Sequence, residues 1–166
     1  LSGGRAGGLN DTQREFLAGI ESKVGEITAL LNDFLDINKI DAGFVNLNRC
    51  AMSLNAVTDD AVTDLTLLAA NRGIRIERSF PGPLVMVDGD PLRVKQILLN
   101  LISNAIKYNV DGGTVRIDCT VGDGTAEVAI TDTGVGIAAD ELAGLFQPYR
   151  RVGATERRVR GVGLGL

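Results

Sequence analysis

A regular seam of apolar residues runs through the first quarter of this 166-residue chain. Its members are separated by three or four positions: Leu17, Ile20, Val24, Ile27, Leu31 and Phe34. This heptad-like spacing predicts one helix from about residue 10 to residue 41, which is roughly 48 Å long. A helix of that length needs a partner helix to cover its seam. Residues 1–43 are therefore predicted to be the turn and second helix of a helical hairpin.

From residue 44 onwards the pattern changes to short strands and helices. Apolar runs and alternations predict strands at 44–50, 74–76, 84–87, 115–117 and 128–130. The last two of these strands are close enough in sequence to form a hairpin. Helix-start signals and apolar spacing predict helices at 53–71, 91–109 and 138–145. Because strands and helices mix without strict alternation, the predicted class is α+β, with one domain over residues 44–166.

Composition excludes several kinds of function. The formal net charge of −4 argues against a nucleic-acid binder, and no apolar run is long enough for a membrane helix. Histidine is absent, which excludes His-based triads, His-based zinc sites and a phosphohistidine within this chain. The two widely spaced cysteines fit no metal-binding pattern and predict reduced thiols. The first ten residues lack the apolar core of a signal peptide, so we expect a cytoplasmic setting.

Polar residues interrupt the predicted helix at 91–109 on one face. Asn100 and Asn104 are one turn apart, and Lys107 follows three residues later. Amide oxygens suit a partly hydrated Mg²⁺, and a lysine beside them suits phosphate. Taken alone, the same residues fit a helix face that simply points to solvent.

The stretch ITDTGVGI places an acid at the end of an apolar strand and glycines directly after it. Gly134 and Gly136 allow the backbone to come close to a planar ligand, and the carboxylate of Asp132 could accept a hydrogen bond from an exocyclic amine. An ordinary Asp-Gly turn explains the pattern equally well.

The end of the chain is basic and rich in glycine. Five arginines and one glutamate lie between residues 150 and 160, and Gly161, Gly163 and Gly165 follow. Glycine-rich backbone that leads into a helix can form a cradle for an anion. The alternative is a solvated basic loop.

Taken together and in this order, the motifs resemble the ATP-binding catalytic domain of sensor histidine kinases. That domain belongs to a superfamily that also includes gyrase, mismatch-repair ATPases and a heat-shock chaperone. NLISNAIKYN is similar to the N box, DTGVGI to the first glycine box, LFQPYRR to the F box and GVGLGL to the second glycine box. LLNDFLDINKIDAG is similar to the second helix of the dimerisation domain. The resemblance implies a two-layer α/β sandwich of the Bergerat type, with a mixed sheet, helices on one face and a preceding helix from a dimeric four-helix bundle.

The resemblance also implies roles for individual residues. Asn104 matches the Mg²⁺-binding asparagine, with Asn100 as its companion, Lys107 near phosphate and Tyr108 beside the nucleotide. Asp132 matches the aspartate that reads the adenine amino group, above the turn of Gly134 and Gly136. The remaining matches belong to the lid and the phosphate loop: Phe146, Arg150, Arg151, Gly161, Gly163 and Gly165. Tyr149 stands where the family commonly has phenylalanine, a departure that keeps the aromatic character of the position.

The function implied by the resemblance is transfer of the γ-phosphoryl group of Mg-ATP to a histidine, with Asn104 and Lys107 as catalytic residues. A response-regulator aspartate is the next acceptor. With no histidine in this chain, we expect the acceptor to lie outside it, in a longer protein of which this is a piece cut at both ends. The expected partners are a receiver domain and a second copy, with no nucleic acid and no membrane contact by this piece, while a membrane anchor elsewhere stays open. The alternatives are a non-catalytic nucleotide-binding signalling module and a conformational ATPase of the chaperone or gyrase type.

Overall fold

The computed structural model describes residues 9–41, 46–139 and 141–142. They fall into two compact units that divide between residues 45 and 46. The first unit contains one long helix, α1 (Asp11–Asp41). Asn10 and Gln13 exchange side-chain and backbone hydrogen bonds of 2.8 and 3.0 Å, which is the capping box at its start.

Helix α1 exposes much of the predicted apolar seam where its side chains are described. Four members of the seam are more than half exposed: Ile20, Val24, Ile27 and Leu31. A stripe of this kind is stable in water only when another apolar surface covers it. The helix predicted from the spacing is confirmed over residues 11–41.

The second unit combines five strands and two helices in its described residues. In chain order these are β1 (Cys50–Ser53), α2 (Leu54–Ala70), β2 (Arg75–Ser79), β3 (Met86–Gly89), α3 (Pro91–Lys107), β4 (Thr114–Gly122) and β5 (Thr125–Asp132). Ser53 caps α2 and Asp90 caps α3, each through a side-chain oxygen that accepts from backbone N–H groups of the first turn. Both helix starts agree with the sequence signals.

The strands form two sheets. Strands β2, β4 and β5 form a mixed sheet in which β2 is parallel and β5 antiparallel to the central β4, while β1 and β3 pair antiparallel. The β4–β5 ladder is unbroken from Val115 opposite Asp132 to Gly122 opposite Thr125. The predicted α+β class with a mixed sheet and the predicted hairpin are therefore confirmed.

The main core lies between helices α2 and α3 and the three-stranded sheet. Its fully buried side chains include Ala61, Ile102, Ile106, Val115 and Ile117. Burying a large aliphatic side chain contributes about 1.5–3 kcal/mol. One face of α3 is therefore fixed to the core, and this leaves its opposite face for other contacts.

One local prediction is wrong. No strand forms at residues 46–49, where the N–H of Asn48 bonds the carboxylate of Asp90 at 3.0 Å, and β1 begins at Cys50. Residues 44–45 of the expected strand lie outside the described residues. The helix expected at 138–145 is described only at 138–139 and 141–142, where a 2.9 Å bond from Glu141 N–H to the Ala138 carbonyl closes one turn. Residues 140 and 143–145 lie outside the described residues, so this helix stays a prediction.

Both cysteines are free thiols, as expected. Cys119 is buried on β4, where burial raises the pKa of its thiol, whereas Cys50 is exposed. Among the helices in the described part of the chain, none combines the length and apolar character needed to cross a membrane.

Candidate functional site

The polar face of α3 carries two amide side chains. Asn100 and Asn104 are half-buried, one helical turn apart, on a helix whose Ile102 and Ile106 are fully buried in the core. Within the described residues, neither amide has a hydrogen-bond partner. Half-buried amides without partners retain their capacity to bind a ligand. This is the arrangement that the sequence predicted for this face.

The other two residues predicted for this segment, Lys107 and Tyr108, lie at the end of α3. Lys107 is its final residue and is exposed, and Tyr108 follows as the C-cap with 42% of its surface exposed. The Tyr108 N–H bonds the Asn104 carbonyl at 2.9 Å, so the backbone hydrogen bonds of α3 fix Tyr108 relative to Asn104.

Asp132 ends strand β5 and begins a tight turn. One carboxylate oxygen accepts a 2.8 Å hydrogen bond from the Gly134 N–H, which fixes the turn, and the side chain is exposed. The other oxygen has no hydrogen bond to the described residues. Gly136 follows with a φ of +68°, in the left-handed region that favours glycine. Asp132 therefore offers a free acceptor at the end of a strand.

The turn at Asp132 lies directly against the end of α3. A Cβ atom on Gly134 would come within 2.5 Å of the Tyr108 carbonyl oxygen, so only glycine fits at this contact. The Val135 N–H approaches the same carbonyl at 3.4 Å. The contact brings the predicted base-reading carboxylate next to the helix that carries the predicted metal-binding amides.

Two polar residues that the sequence analysis missed hold this junction together. Asn109 is only 1% exposed, and its amide donates to the Thr114 carbonyl at 3.0 Å. Its oxygen accepts from the Val110 N–H at 2.9 Å and from the Thr133 hydroxyl at 3.0 Å. Thr133 in turn accepts from the Thr114 N–H at 2.9 Å. Both residues lie inside the quoted motifs, but periodicity gives no sign that their side chains meet.

The remaining predicted residues lie outside the described part of the chain. These are Phe146, Arg150, Arg151, Gly161, Gly163 and Gly165. Their assigned roles in the lid and the phosphate loop stay predictions.

The amide oxygens of Asn100 and Asn104 suit a cation that keeps several water ligands better than a metal ion that is bound by protein atoms alone. Among the side chains that the structure describes, no group of three or more Cys, Asp or Glu residues could hold a metal ion. Mg²⁺ typically takes one or two protein oxygens and completes its shell with water and substrate phosphates. The amide oxygens of Asn100 and Asn104 fit that requirement.

Comparisons with known proteins agree with this geometry. Residues 89–166 match the family of histidine kinase-, DNA gyrase B- and HSP90-like ATPases. The histidine protein kinase DivJ of Caulobacter vibrioides is 36% identical over 160 residues, or 96% of this chain and 27% of DivJ. The chain carries the catalytic ATP-binding domain of a histidine kinase. The resemblance predicted from the four boxes is thus confirmed, and the chain spans about a quarter of this relative's length.

Solved histidine kinase structures share the fold. Full-length ShkA, crystallised with AMPPNP, superposes with a TM-score of 0.76 at 26% identity, over 95% of this chain and 33% of ShkA. The histidine kinase ThkA, crystallised with the response regulator TrrA, has a TM-score of 0.67 at 17% identity, over 89% of this chain and 43% of ThkA. The second likeness establishes the fold alone.

Proposed function

We propose that this chain is the ATP-binding kinase part of a two-component sensor histidine kinase. In this proposal it transfers the γ-phosphoryl group of ATP to a histidine outside the chain. The observation that carries the proposal is the junction of two elements. The Asp132 turn contacts Tyr108 at the end of α3, and the amides of Asn104 and Asn100 lie about one and two turns earlier, without a hydrogen-bond partner among the described residues.

Recognition of the base is assigned to Asp132. Its free carboxylate oxygen can accept a hydrogen bond from the adenine amino group, and its other oxygen holds the turn through Gly134. Guanine presents a carbonyl oxygen where adenine has its amino group, so the carboxylate would repel it. Asp132 therefore supplies selectivity for adenine.

The phosphate end is assigned to α3. Asn104, with Asn100 as companion, is expected to bind Mg²⁺, and the exposed Lys107 is expected to approach the phosphates. The cation neutralises phosphate charge, which is the main requirement for phosphoryl transfer. Fixing the amides on a helix packed into the core keeps them in place, which favours transfer through positioning.

The phosphoryl acceptor is expected on a different chain or segment, because these 166 residues contain no histidine. The exposed apolar seam of α1 supports a helical hairpin that pairs with a second copy. A response-regulator receiver domain is the expected final acceptor, and the complex of ThkA with TrrA supports that class of partner.

The experiment uses ATP labelled on its γ-phosphate and a separate chain that carries the family's histidine-bearing dimerisation helices. We expect Mg²⁺-dependent labelling of that chain. Asn104→Asp should lower the transfer rate by about a hundredfold, because the added carboxylate charge repels the phosphates and draws the cation away from them. ATP affinity should fall by less than about tenfold.

The matched control is Asn71→Asp, the same change at an exposed position at the end of α2. It should leave transfer unchanged. ATP binding without any labelling would favour the non-catalytic module, and full transfer by Asn104→Asp would remove Asn104 from the metal site.

A further inference from the structure

Arg72 reaches from the turn after α2 to the end of α3. Its guanidinium donates to the carbonyl oxygens of Ile106 at 2.6 Å, Lys107 at 2.7 Å and Asn109 at 2.8 Å. It also pairs with the carboxylate of Asp111 at 2.8 Å. One side chain therefore binds three carbonyl groups at and just beyond the end of α3, where the helix supplies few donors of its own.

The position of Arg72 is fixed by more than its side chain. Its own carbonyl accepts the Gly112 N–H at 3.0 Å, and only 30% of its side chain is exposed. The planar guanidinium can serve several acceptors at once, which the single ammonium of a lysine cannot match. Arg72 thus holds the whole segment from Ile106 to Gly112 against the turn that follows α2.

That segment is the surface on which the Asp132 turn packs. The Tyr108 carbonyl contacts Gly134, and the side chain of Asn109 bonds Thr133 at 3.0 Å. A shift of the segment would move the turn that carries Asp132. None of the bonds made by Arg72 involves Asn100 or Asn104.

We propose that Arg72 is a positioning residue for the adenine-reading end of the nucleotide site. It acts through the segment at the end of α3 and through the Asp132 turn, and it does not itself touch the nucleotide. The proposal rests on the proposed function, because it assumes that Asp132 reads the base.

The test measures the affinities of Mg-ATP and Mg-GTP for Arg72→Lys by calorimetry, well below the unfolding midpoint of every variant. We expect ATP to bind about tenfold more weakly, because several charge-assisted hydrogen bonds are lost. GTP affinity should stay within about twofold, since guanine does not use the carboxylate. The ATP-to-GTP ratio should therefore fall about tenfold. A purely structural role would leave that ratio unchanged.

Arg49→Lys is the matched control. Arg49 forms an exposed 2.7 Å ion pair with Asp88 of β3. Arg49→Lys should change neither the ATP affinity nor the GTP affinity. Asp111→Asn is a milder variant that removes the partner charge but leaves the carbonyl groups in place. It should give a smaller fall in the ratio and should fold even if Arg72→Lys does not.

A double variant tests whether Arg72 affects ATP binding through Asp132. If Arg72 acts through Asp132, then Arg72→Lys combined with Asp132→Asn should bind ATP no more weakly than Asp132→Asn alone. Additive losses, or an unchanged ATP-to-GTP ratio in Arg72→Lys and Asp111→Asn, would overturn the positioning role while the proposed function stands. Failure of the unaltered chain to bind ATP would overturn both.

Discussion

The two ends of helix α3 are held in different ways. At its start, Asp90 is 8% exposed and accepts hydrogen bonds from the N–H groups of Leu92 at 3.0 Å and Arg93 at 3.2 Å. The N–H of Asn48 adds a third bond at 3.0 Å. This end is fixed mainly by residues of its own first turn.

At its other end, α3 depends on distant parts of the chain. The guanidinium of Arg72 caps its carbonyl groups, and the turn at Gly134 packs on Tyr108. Of the predicted ligand-binding residues that the structure describes, Asn104, Lys107 and Tyr108 lie at this end. From this contrast we expect nucleotide binding to be sensitive to tertiary contacts at the end of the helix and largely independent of the cap at its start.

The largest effect is expected from Gly134→Ala. The added Cβ would lie 2.5 Å from a backbone oxygen of Tyr108, so the turn must move away from α3. We expect ATP affinity to fall by more than about a hundredfold and the free energy of unfolding by about 1–3 kcal/mol. Calorimetry and denaturant unfolding measure the two quantities.

Gly82→Ala is the control for that change, because a Cβ at Gly82 meets nothing within 4 Å. Near-normal ATP binding by Gly134→Ala would show that ATP binding does not need the close contact between Gly134 and Tyr108. It would also contradict the expected difference between the two ends of α3.

Asp132→Asn should have the next largest effect. It keeps the shape of the side chain but removes the charge from the hydrogen bond to adenine, so ATP binding should weaken by about 1.5–3 kcal/mol. The measurement is calorimetry with Mg-ATP. Asp118→Asn, on β4 of the same sheet, should bind ATP normally. Unchanged affinity in Asp132→Asn would take Asp132 out of the site.

Thr133→Val should have a smaller effect on binding. It removes the hydroxyl that links Asn109 to the Thr114 N–H, which should cost about 1–3 kcal/mol of stability because buried partners lose their bonds. ATP affinity should fall by about threefold, since Asp132 itself is intact.

Thr125→Val provides the comparison for Thr133→Val at the opposite end of the same hairpin. Its hydroxyl bonds the Gly122 carbonyl at 2.8 Å, far along the ladder from Asp132. It should reduce stability without changing ATP affinity. Equal losses of affinity in both threonine variants would mean that binding follows overall stability and not the junction.

The smallest effect on binding is expected from Asp90→Asn, at the start of α3. Hydrogen bonds from the backbone N–H groups of Asn48 and Arg93 hold the pKa of Asp90 below its ordinary value of 3.8. Because the folded pKa is lowered, the charged carboxylate stabilises the fold above pH 3.8, and this stabilisation is lost as pH falls through the lowered pKa.

Unfolding of Asp90→Asn as a function of pH tests this directly. The variant should be less stable than the unaltered chain at neutral pH, with a difference that shrinks in acid below pH 3.8. Asp88→Asn, at an exposed neighbouring position, is the matched control, and its stability at neutral pH should lie close to that of the unaltered chain. ATP affinity at neutral pH should stay within about twofold in both variants. A large loss of ATP affinity in Asp90→Asn would contradict the independence of the two ends.

The same contrast explains what could be predicted from the sequence. The cap at the start of α3 is visible because Asp90 and Pro91 stand next to the turn that they initiate. The amides at Asn100 and Asn104 are visible because helical spacing places them on one face. These are local relations, so the sequence pattern carries them.

Arg72 could not be found in that way. It lies 34 residues before Ile106, and only the packing of α2, β2 and α3 brings them together. The strand expected at 44–50 is missing at residues 46–49 for a related reason, since the N–H of Asn48 bonds a carboxylate 42 residues away. Polar contacts between residues that are far apart in the chain produce no periodic pattern in the sequence.

The unbroken β4–β5 ladder also determines which changes in chain length the site tolerates. Val115, Ile117 and Cys119 face the core at alternate positions, so a one-residue slip would turn that apolar set towards water. Extra residues in the turn between Gly122 and Thr125 would lengthen the hairpin at its far end and leave Asp132 opposite Val115. A single insertion within either strand would instead carry the carboxylate to the wrong face. The buried side chains of β4 fix the register of the hairpin, and the register in turn sets the position of the exposed Asp132 side chain.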